Sequence, residues 1–127
     1  MKLISINSSQ APQVPTAYSQ AMEVREAQRL LFISGQVGES VSGEVPKDIE
    51  SQLKLAWDNL FSQLAAADMT VANLVKVTAL LSSRDHLTSF RAARKEAMQG
   101  HVPALTVIIA DTVDARWLVE IEGIAVA

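Results

Sequence analysis

The strongest constraint on the fold is a change in the spacing of the apolar residues near Lys47. Before this point they cluster in short runs typical of strands, KLISI at 2–6 and LLFIS at 30–34. After it, apolar residues recur every three or four positions as far as Ala67, which predicts an amphipathic helix. The residues on its apolar face are Ile49, Leu53, Trp57, Leu60, Phe61 and Leu64.

The rest of the chain predicts a second helix between further strands. Alternate residues of NLVKVTALL, at 73–81, are apolar, which indicates a strand. The second helix is expected to begin after Ser82 or Ser83, either of which can cap it, and to end at Gly100. Two closing strands are predicted, ALTVIIA at 104–110 and RWLVEIEGIAVA at 116–127.

The resulting order, β-β-β-α-β-α-β-β, predicts an α+β fold with a sheet carrying two helices on one face. The polar segment 25–29 is expected to form a hairpin turn between the second and third strands, and LLFIS to be buried. Apolar residues lie on both sides of LTVIIA at 105–110, which is typical of a strand buried on both faces. Because the helices cover one face only, an oligomer is predicted.

The composition restricts the classes of function. A chain of 127 residues is expected to form one domain. Its net charge of −3 gives no general attraction to nucleic acid or to anionic membranes. The absence of cysteine excludes disulfides, thiolate metal sites and a cysteine nucleophile, and fits a reducing compartment. No apolar run is long enough for a signal peptide or a membrane span, so a cytoplasmic protein is expected.

Two short stretches carry groups suited to chemistry. Glu120 and Glu122 are two apart on the last strand, so their side chains leave the same face. They are either a solvated polar face or a rigidly held carboxylate that orients a water molecule as general base. Ser34, Gly35 and Gln36 end an apolar strand, where glycine lets a ligand approach the backbone. The alternative is a strand that simply runs into its turn.

The histidines and the basic residues give weaker signals. His86 is predicted in the first turn of the second helix and His101 in the loop after it, both on the surface, and neither has the spaced partners of a metal site. No metal or cofactor is therefore expected. Arg91 and Arg94 are neighbours on the second helix, which also carries Arg84 and Lys95. This basic side is either a solvated face or an anion site.

Several stretches together resemble the RidA (YjgF) family of small reactive-intermediate deaminases, and they span nearly the whole chain in the family's order. The resemblance implies a chorismate-mutase-like α+β fold and a homotrimer with ligand sites in the clefts between subunits. The stretches are AP at 11–12, AYSQA at 17–21, LFISGQVG at 31–38, SGEVPKDIESQ at 42–52, NLVKVTALL at 73–81, PAL at 103–105 and VEIEGIAVA at 119–127.

The same resemblance implies a set of site residues. In deaminating members a glutamate on the last strand positions water for attack on an imine carbon, and Glu120 matches it. Tyr18 and the S-G-Q turn at 34–36 match residues that line the cleft. An arginine of a P-A-R motif holds the ligand carboxylate in the family, but here the motif reads P-A-L and Leu105 stands in its place. Arg91 occupies a helix position where the family often carries an asparagine.

The leucine at position 105 removes the main group that would bind the carboxylate of a small 2-imino acid. A charge-assisted hydrogen bond contributes roughly 1.5–3 kcal/mol, which is about one to two decades in affinity. The usual deaminase activity is therefore expected to be weak or absent. Either Arg91 reaches the cleft and replaces the lost charge, or the cleft takes a less charged, more apolar ligand that packs on Leu105.

Three functions follow as hypotheses. The first is a hydrolytic deaminase of a reactive imine or enamine other than the small imino acids, with Glu120 directing the water. The second is a trimeric protein that binds a small molecule, or regulates through it, without turnover. The third is an endoribonuclease or translation inhibitor, which the acidic net charge and the few aromatic residues disfavour.

Overall fold

The computed structural model describes residues 1–13 and 17–127. Within them it contains six strands and two α-helices, in the order that the sequence predicts, so the α+β class is confirmed. A 3-10 turn precedes the fourth strand, and another precedes the second helix. The elements are β1 (Lys2–Ile6), β2 (Ala21–Arg25), β3 (Leu30–Val37), α1 (Ile49–Ala66), β4 (Leu74–Leu81), α2 (Leu87–Met98), β5 (Ala104–Ile109) and β6 (Val119–Val126).

The strands form a four-stranded mixed sheet and a separate two-stranded one. The larger sheet has the order β3-β6-β4-β5, with β4 and β5 parallel and the other pairs antiparallel. The smaller sheet pairs β1 with β2, so the predicted hairpin between β2 and β3 is wrong. The amides of Gln28 and Arg29 instead donate to the carbonyl of Ala127, 2.8 Å away in each case. These bonds start the pairing of β3 with β6, a contact between distant parts of the chain that local pattern cannot reveal.

Helix α1 confirms the spacing argument. Asp48 caps it by accepting a hydrogen bond from the Ser51 amide at 2.9 Å. The side chains of Leu53, Trp57 and Leu60 are buried in the core. None of the helices in the described ranges combines the length and hydropathy needed to cross a membrane.

Helix α2 also begins and ends near the predicted residues. The Ser83 side chain accepts from the Asp85 amide and caps the 3-10 turn at 84–86, which continues into α2. The helix ends where Gln99 and Gly100 take left-handed conformations, with φ of 51° and 86°.

The two faces of the larger sheet differ in polarity. Val77, Ala79 and Ile121 lie on the face covered by the helices and are buried. We call the other side the open face; by strand register it carries Leu30, Phe32, Lys76, Thr78, Leu80, Thr106, Ile108, Glu120, Glu122 and Ile124.

Strand β3 departs from the prediction that LLFIS is buried. Ile33 is 5% exposed, but Phe32 is 72% and Leu30 is 65% exposed. The reason is that β3 is an edge strand whose alternate residues lie on the open face. In one protomer Ile108 of β5 is also 44% exposed, so burial of that strand on both faces requires a second copy and stays a prediction.

Gln52 of α1 ties the helix to two loops. Its side chain is fully buried, and its Nε2 donates to the carbonyls of Pro46 at 2.7 Å and Arg116 at 2.8 Å. Its Oε1 accepts from the Leu118 amide at 2.8 Å. These bonds hold the segment that leads into β6, and they satisfy backbone groups that would otherwise be buried without partners.

Replacing Gln52 by alanine is expected to lower the free energy of unfolding by about 2–4 kcal/mol, because several backbone groups lose their partner in a buried place. Urea unfolding followed by circular dichroism measures this. Gln63→Ala is the matched control, since Gln63 is exposed on the same helix. Equal unfolding free energies for the two variants would contradict the structural role of Gln52.

Candidate functional site

Tyr18 is placed beside β5 by its neighbour Ser19. The Ser19 amide donates to the Pro103 carbonyl at 3.1 Å, and its buried hydroxyl donates to the carbonyl of Val102. These bonds fix the chain against the residues just before β5. As a result, Tyr18 and Leu105 line the same cavity.

This cavity lies between α2 and β5 and has a volume of about 420 Å³. We call it the arginine pocket. It brings together three of the predicted site residues, Tyr18, Arg91 and Leu105. Arg91 therefore does lie near Leu105, which the sequence left open. The remaining lining residues are Arg84, Leu87, Phe90, Arg94, Val107 and Ile109.

The charge in the arginine pocket is unbalanced. In the part of the chain that the structure describes, Arg84, Arg91 and Arg94 form no ion pair with a carboxylate, and the pocket lining includes no acidic residue. Burial lowers the pKa of the Arg94 guanidinium, and the positive charge of Arg91 lowers it further. An arginine nevertheless stays charged in proteins. The pocket thus presents positive charge above an apolar wall.

Arg84 and Arg94, for which the sequence left a solvated face and an anion site as alternatives, also belong to this pocket. The signal was present, because Arg84, Leu87, Arg91 and Arg94 are spaced three, four and three apart and so share one side of the helical segment. The β5 residues beyond Leu105 carried no comparable signal. Their place in the wall depends on how closely α2 packs against β5.

Glu120 lies against Gly35 of the S-G-Q turn, apart from the arginine pocket. The pairing of β3 with β6 shifts register between Ile33 and Gln36, and Gly35 lies in this irregularity. A Cβ atom added to Gly35 would lie only 1.9 Å from Oε1 of Glu120. The carboxylate therefore rests on the backbone of β3 in space that only glycine leaves free.

The strand pattern predicted for Glu120 is confirmed. Val119 and Ile121 are fully buried on the helix-covered face, while Glu120 and Glu122 alternate with them on the open face. Glu120 is half-buried and Glu122 is exposed. Of the two carboxylates, therefore, only that of Glu120 is packed against neighbouring residues.

The other members of the turn are placed differently. Gln36 pairs with Ile121, which lies on the helix-covered face, whereas Gly35 lies against Glu120. The Gln36 Nε2 donates to the Ser34 carbonyl at 3.0 Å, so this side chain closes the turn. Of the three predicted turn residues, Gly35 alone is shown in contact with the carboxylate.

One protomer does not bring the two groups together. Glu120 on β6 and Leu105 on β5 are separated by β4, which puts them two inter-strand spacings, about 10 Å, apart across the sheet. Along the strands, Glu120 is level with Ile108 through Leu80, three residues beyond Leu105. Leu105 also shares the helix-covered face with Val77, whereas Glu120 lies on the open face.

The two histidines occupy positions that are structural in character. A ring nitrogen of His101 lies 2.6 Å from the Leu74 carbonyl oxygen, which ties the loop before β5 to β4. His86 ends the 3-10 turn before α2. Across residues 1–13 and 17–127, no three His, Asp or Glu side chains are grouped closely enough to hold a metal ion.

Comparisons with known proteins are consistent with this geometry. Residues 8–127 match the family model described as Endoribonuclease L-PSP. The chain is 36% identical over 123 residues to the mouse protein named 2-iminobutanoate/2-iminopropanoate deaminase, covering 95% of this chain and 89% of that one. It is 30% identical over 128 residues to the Schizosaccharomyces pombe protein named mmf2, mitochondrial, covering 98% of each.

A solved structure extends the likeness to three dimensions. It is described as a protein of unknown function of the conserved Rid family, YyfB, from Yersinia pestis. It superposes with a TM-score of 0.86 at 28% identity and covers all of both chains. The fold of the described chain is therefore that of a solved Rid-family protein.

Replacing Gly35 by alanine is expected to push the Glu120 carboxylate off the β3 backbone, with little loss of stability because a flexible side chain can rotate away. Gly38→Ala is the contrasting variant, since its added methyl group would lie 2.6 Å from the backbone Cα of Gln52. That clash is expected to cost about 1–3 kcal/mol. Crystal structures and thermal melts of both variants measure the effects, and an unmoved Glu120 in Gly35→Ala would contradict the expectation.

Proposed function

The chain belongs to the Endoribonuclease L-PSP family, and we propose that it is a hydrolytic deaminase of a reactive imine or enamine with a substrate preference unlike that for small 2-imino acids. The resemblance to the RidA family is confirmed by these matches. The observation that carries the proposal is the seating of the Glu120 carboxylate on Gly35. The name of the mouse relative, a deaminase of two small 2-imino acids, adds support for the reaction class.

The chemistry needs one base and one water molecule. The Glu120 carboxylate accepts a proton from water as the water oxygen bonds to the imine carbon, the electrons of the C=N bond move to nitrogen, and Glu120 then gives this proton to the nitrogen. The carbinolamine so formed passes its hydroxyl proton through Glu120 to the amino group, and the C–N bond breaks to release ammonia as the C–O bond becomes a carbonyl. A carboxylate on a strand that is paired on both edges suits this role, because the strand holds the backbone of Glu120 in place through both steps.

The proposal includes assembly into a homotrimer, with each site in a cleft between subunits. Its support is the separation of the arginine pocket from Glu120, which a second copy can close by bringing its own residues across. Further support comes from Phe32, Leu30 and Ile108, large apolar residues exposed on the open face. The proposal also keeps the single domain and the cytoplasmic location expected from the sequence.

The second candidate function is ligand binding without turnover. It is favoured by Leu105, which stands where deaminating relatives carry the carboxylate-binding arginine. Both functions predict a ligand in the cleft, and they differ in whether Glu120 accelerates a reaction. Endoribonuclease activity, which the family description names, is disfavoured by the net charge of −3.

Glu120→Gln is expected to lower kcat for imine hydrolysis by about 10²–10⁴-fold, because the amide cannot accept the proton from water. The assay generates imines enzymatically from a panel of amino acids and follows semicarbazide trapping in competition with hydrolysis. Glu122→Gln is the matched control on the same strand and the same face, and it is expected to keep wild-type kcat. Equal rates for wild type and Glu120→Gln would remove Glu120 from the mechanism.

A shared cleft predicts that two inactive variants complement each other. Tyr18→Ala and Glu120→Gln damage different halves of the site, so trimers assembled from both chains after joint unfolding and refolding contain some clefts with two intact halves. Random mixing of equal amounts is expected to restore about one quarter of the activity. Refolding each variant alone is the control. No recovery in the mixture, with assembly verified by sedimentation, would show that each site belongs to one chain.

A further inference from the structure

The arginine pocket combines basic and apolar residues. A leucine at position 105, where the family resemblance implies an arginine, does not by itself explain this combination. Arg84, Arg91 and Arg94 reach it from the α2 side, and Leu105 and Val107 form part of its wall on the β5 side. A solvated basic face would not need an apolar wall opposite it. The two features together match a ligand with an anionic end and an apolar body.

We propose that Arg91 and Arg94 hold the substrate carboxylate, while Leu105, Val107 and Ile109 pack against its side chain, so that the preferred substrates are imines of 2-amino acids with branched or longer apolar side chains. This inference rests on the proposed function, because it assigns the substrate class of that same site. In this arrangement the substrate carboxylate is bound by residues of α2 and not of β5. The apolar residues of β5 then select substrates by the size of their side chains.

The positive charges of the free pocket are unfavourably placed. Arg91 and Arg94 lie three apart on α2, so their guanidinium groups are neighbours and repel each other. Arg94 is half-buried as well, and burial is the larger of the two influences that lower its pKa. A carboxylate bound between them relieves both penalties at once, and guanidinium groups offer it paired hydrogen bonds of fixed geometry.

The volume of the arginine pocket suits a ligand larger than a small imino acid. At about 420 Å³ the cavity lies within the range of roughly 300–1,000 Å³ that holds ligands of drug size. An imine with a methyl or ethyl side chain leaves much of that space to water. Each methylene group buried against the wall is expected to tighten binding by about fourfold, so longer apolar chains are favoured.

The test measures binding with 2-oxo acids, the stable products of the proposed reaction. The probes are pyruvate, 2-oxobutanoate and 4-methyl-2-oxopentanoate, titrated into the wild-type protein by calorimetry. From the first to the last, Kd is expected to fall by about 10–60-fold. The methyl ester of 4-methyl-2-oxopentanoate, which lacks the charge, is expected to bind at least about tenfold more weakly than the acid.

Arginine variants test the anchor. Arg91→Leu and Arg94→Leu are each expected to raise the Kd of 4-methyl-2-oxopentanoate by about 10–100-fold. Lys95→Leu is the matched control, because it removes the same charge from an exposed position on the same helix outside the pocket lining. It is expected to leave Kd within about twofold, as a screened surface charge should. Leu105→Ala is expected to reduce the ratio of the Kd of pyruvate to the Kd of 4-methyl-2-oxopentanoate.

Three results would overturn the proposal: a Kd that does not depend on chain length, an ester that binds as well as the acid, or arginine variants that match Lys95→Leu. Sedimentation velocity adds a fourth. If Arg91→Leu and Arg94→Leu dissociate an oligomer that Lys95→Leu leaves intact, the two guanidinium groups are ion-pair partners of another subunit and not a ligand anchor. The wild-type series needs no variant, so the size argument stays testable even if a variant misfolds.

The outcomes separate this inference from the proposed function. Binding of 2-oxo acids as expected, together with a Glu120→Gln variant as fast as wild type, would leave a ligand pocket and remove the deaminase mechanism. Imine hydrolysis that depends on Glu120 but is indifferent to Arg91, Arg94 and chain length would keep the mechanism and remove this substrate class.

Discussion

The two-sided pairing of β6 is the constraint on which the rest of the molecule depends. β6 hydrogen bonds to β3 on one edge and β4 on the other, and its residues alternate between the core and the open face. Ile121 is fully buried beneath the helices, while Glu120 beside it lies against Gly35. A slip of one residue would bury the carboxylate and expose the core residue. Hydrophobic burial thus fixes the strand register and, with it, the face on which Glu120 lies.

The parts of the fold that sequence predicted are those set by local periodicity. Helix α1 and strand β4 follow from apolar spacing, because burial on one face imposes that spacing within the element itself. The hairpin expected at 25–29 was wrong, and Leu30 and Phe32 of the LLFIS strand are exposed in one protomer, since both features depend on which distant strand lies alongside. Likewise, the resemblance pointed to Glu120 and Leu105, but it did not reveal that Arg94 and Leu105 share a cavity.

The family resemblance implies an arginine at position 105, and having leucine there is physically less costly than the loss of a charge suggests. A charge-assisted hydrogen bond contributes about 1.5–3 kcal/mol, and burying a leucine-sized side chain also contributes about 1.5–3 kcal/mol. Burial against an apolar wall therefore offsets the lost affinity, but apolar contacts do not orient the ligand. Orientation of the reacting carbon relative to Glu120 must come from polar groups, and under our proposal Arg91 and Arg94 supply it from the other wall.

Under the proposed assembly, the same arrangement links activity to subunit association. The arginine pocket adjoins β5, an edge strand of the larger sheet, whereas the carboxylate lies near β3, the opposite edge. Both edges carry exposed apolar residues on the open face, Ile108 on β5 and Phe32 on β3. Contacts that bury these residues would bring one chain's pocket towards another chain's carboxylate. The free energy of association would then contribute to the geometry of the site as well as to stability, and dilution below the dissociation constant of the oligomer would remove both together.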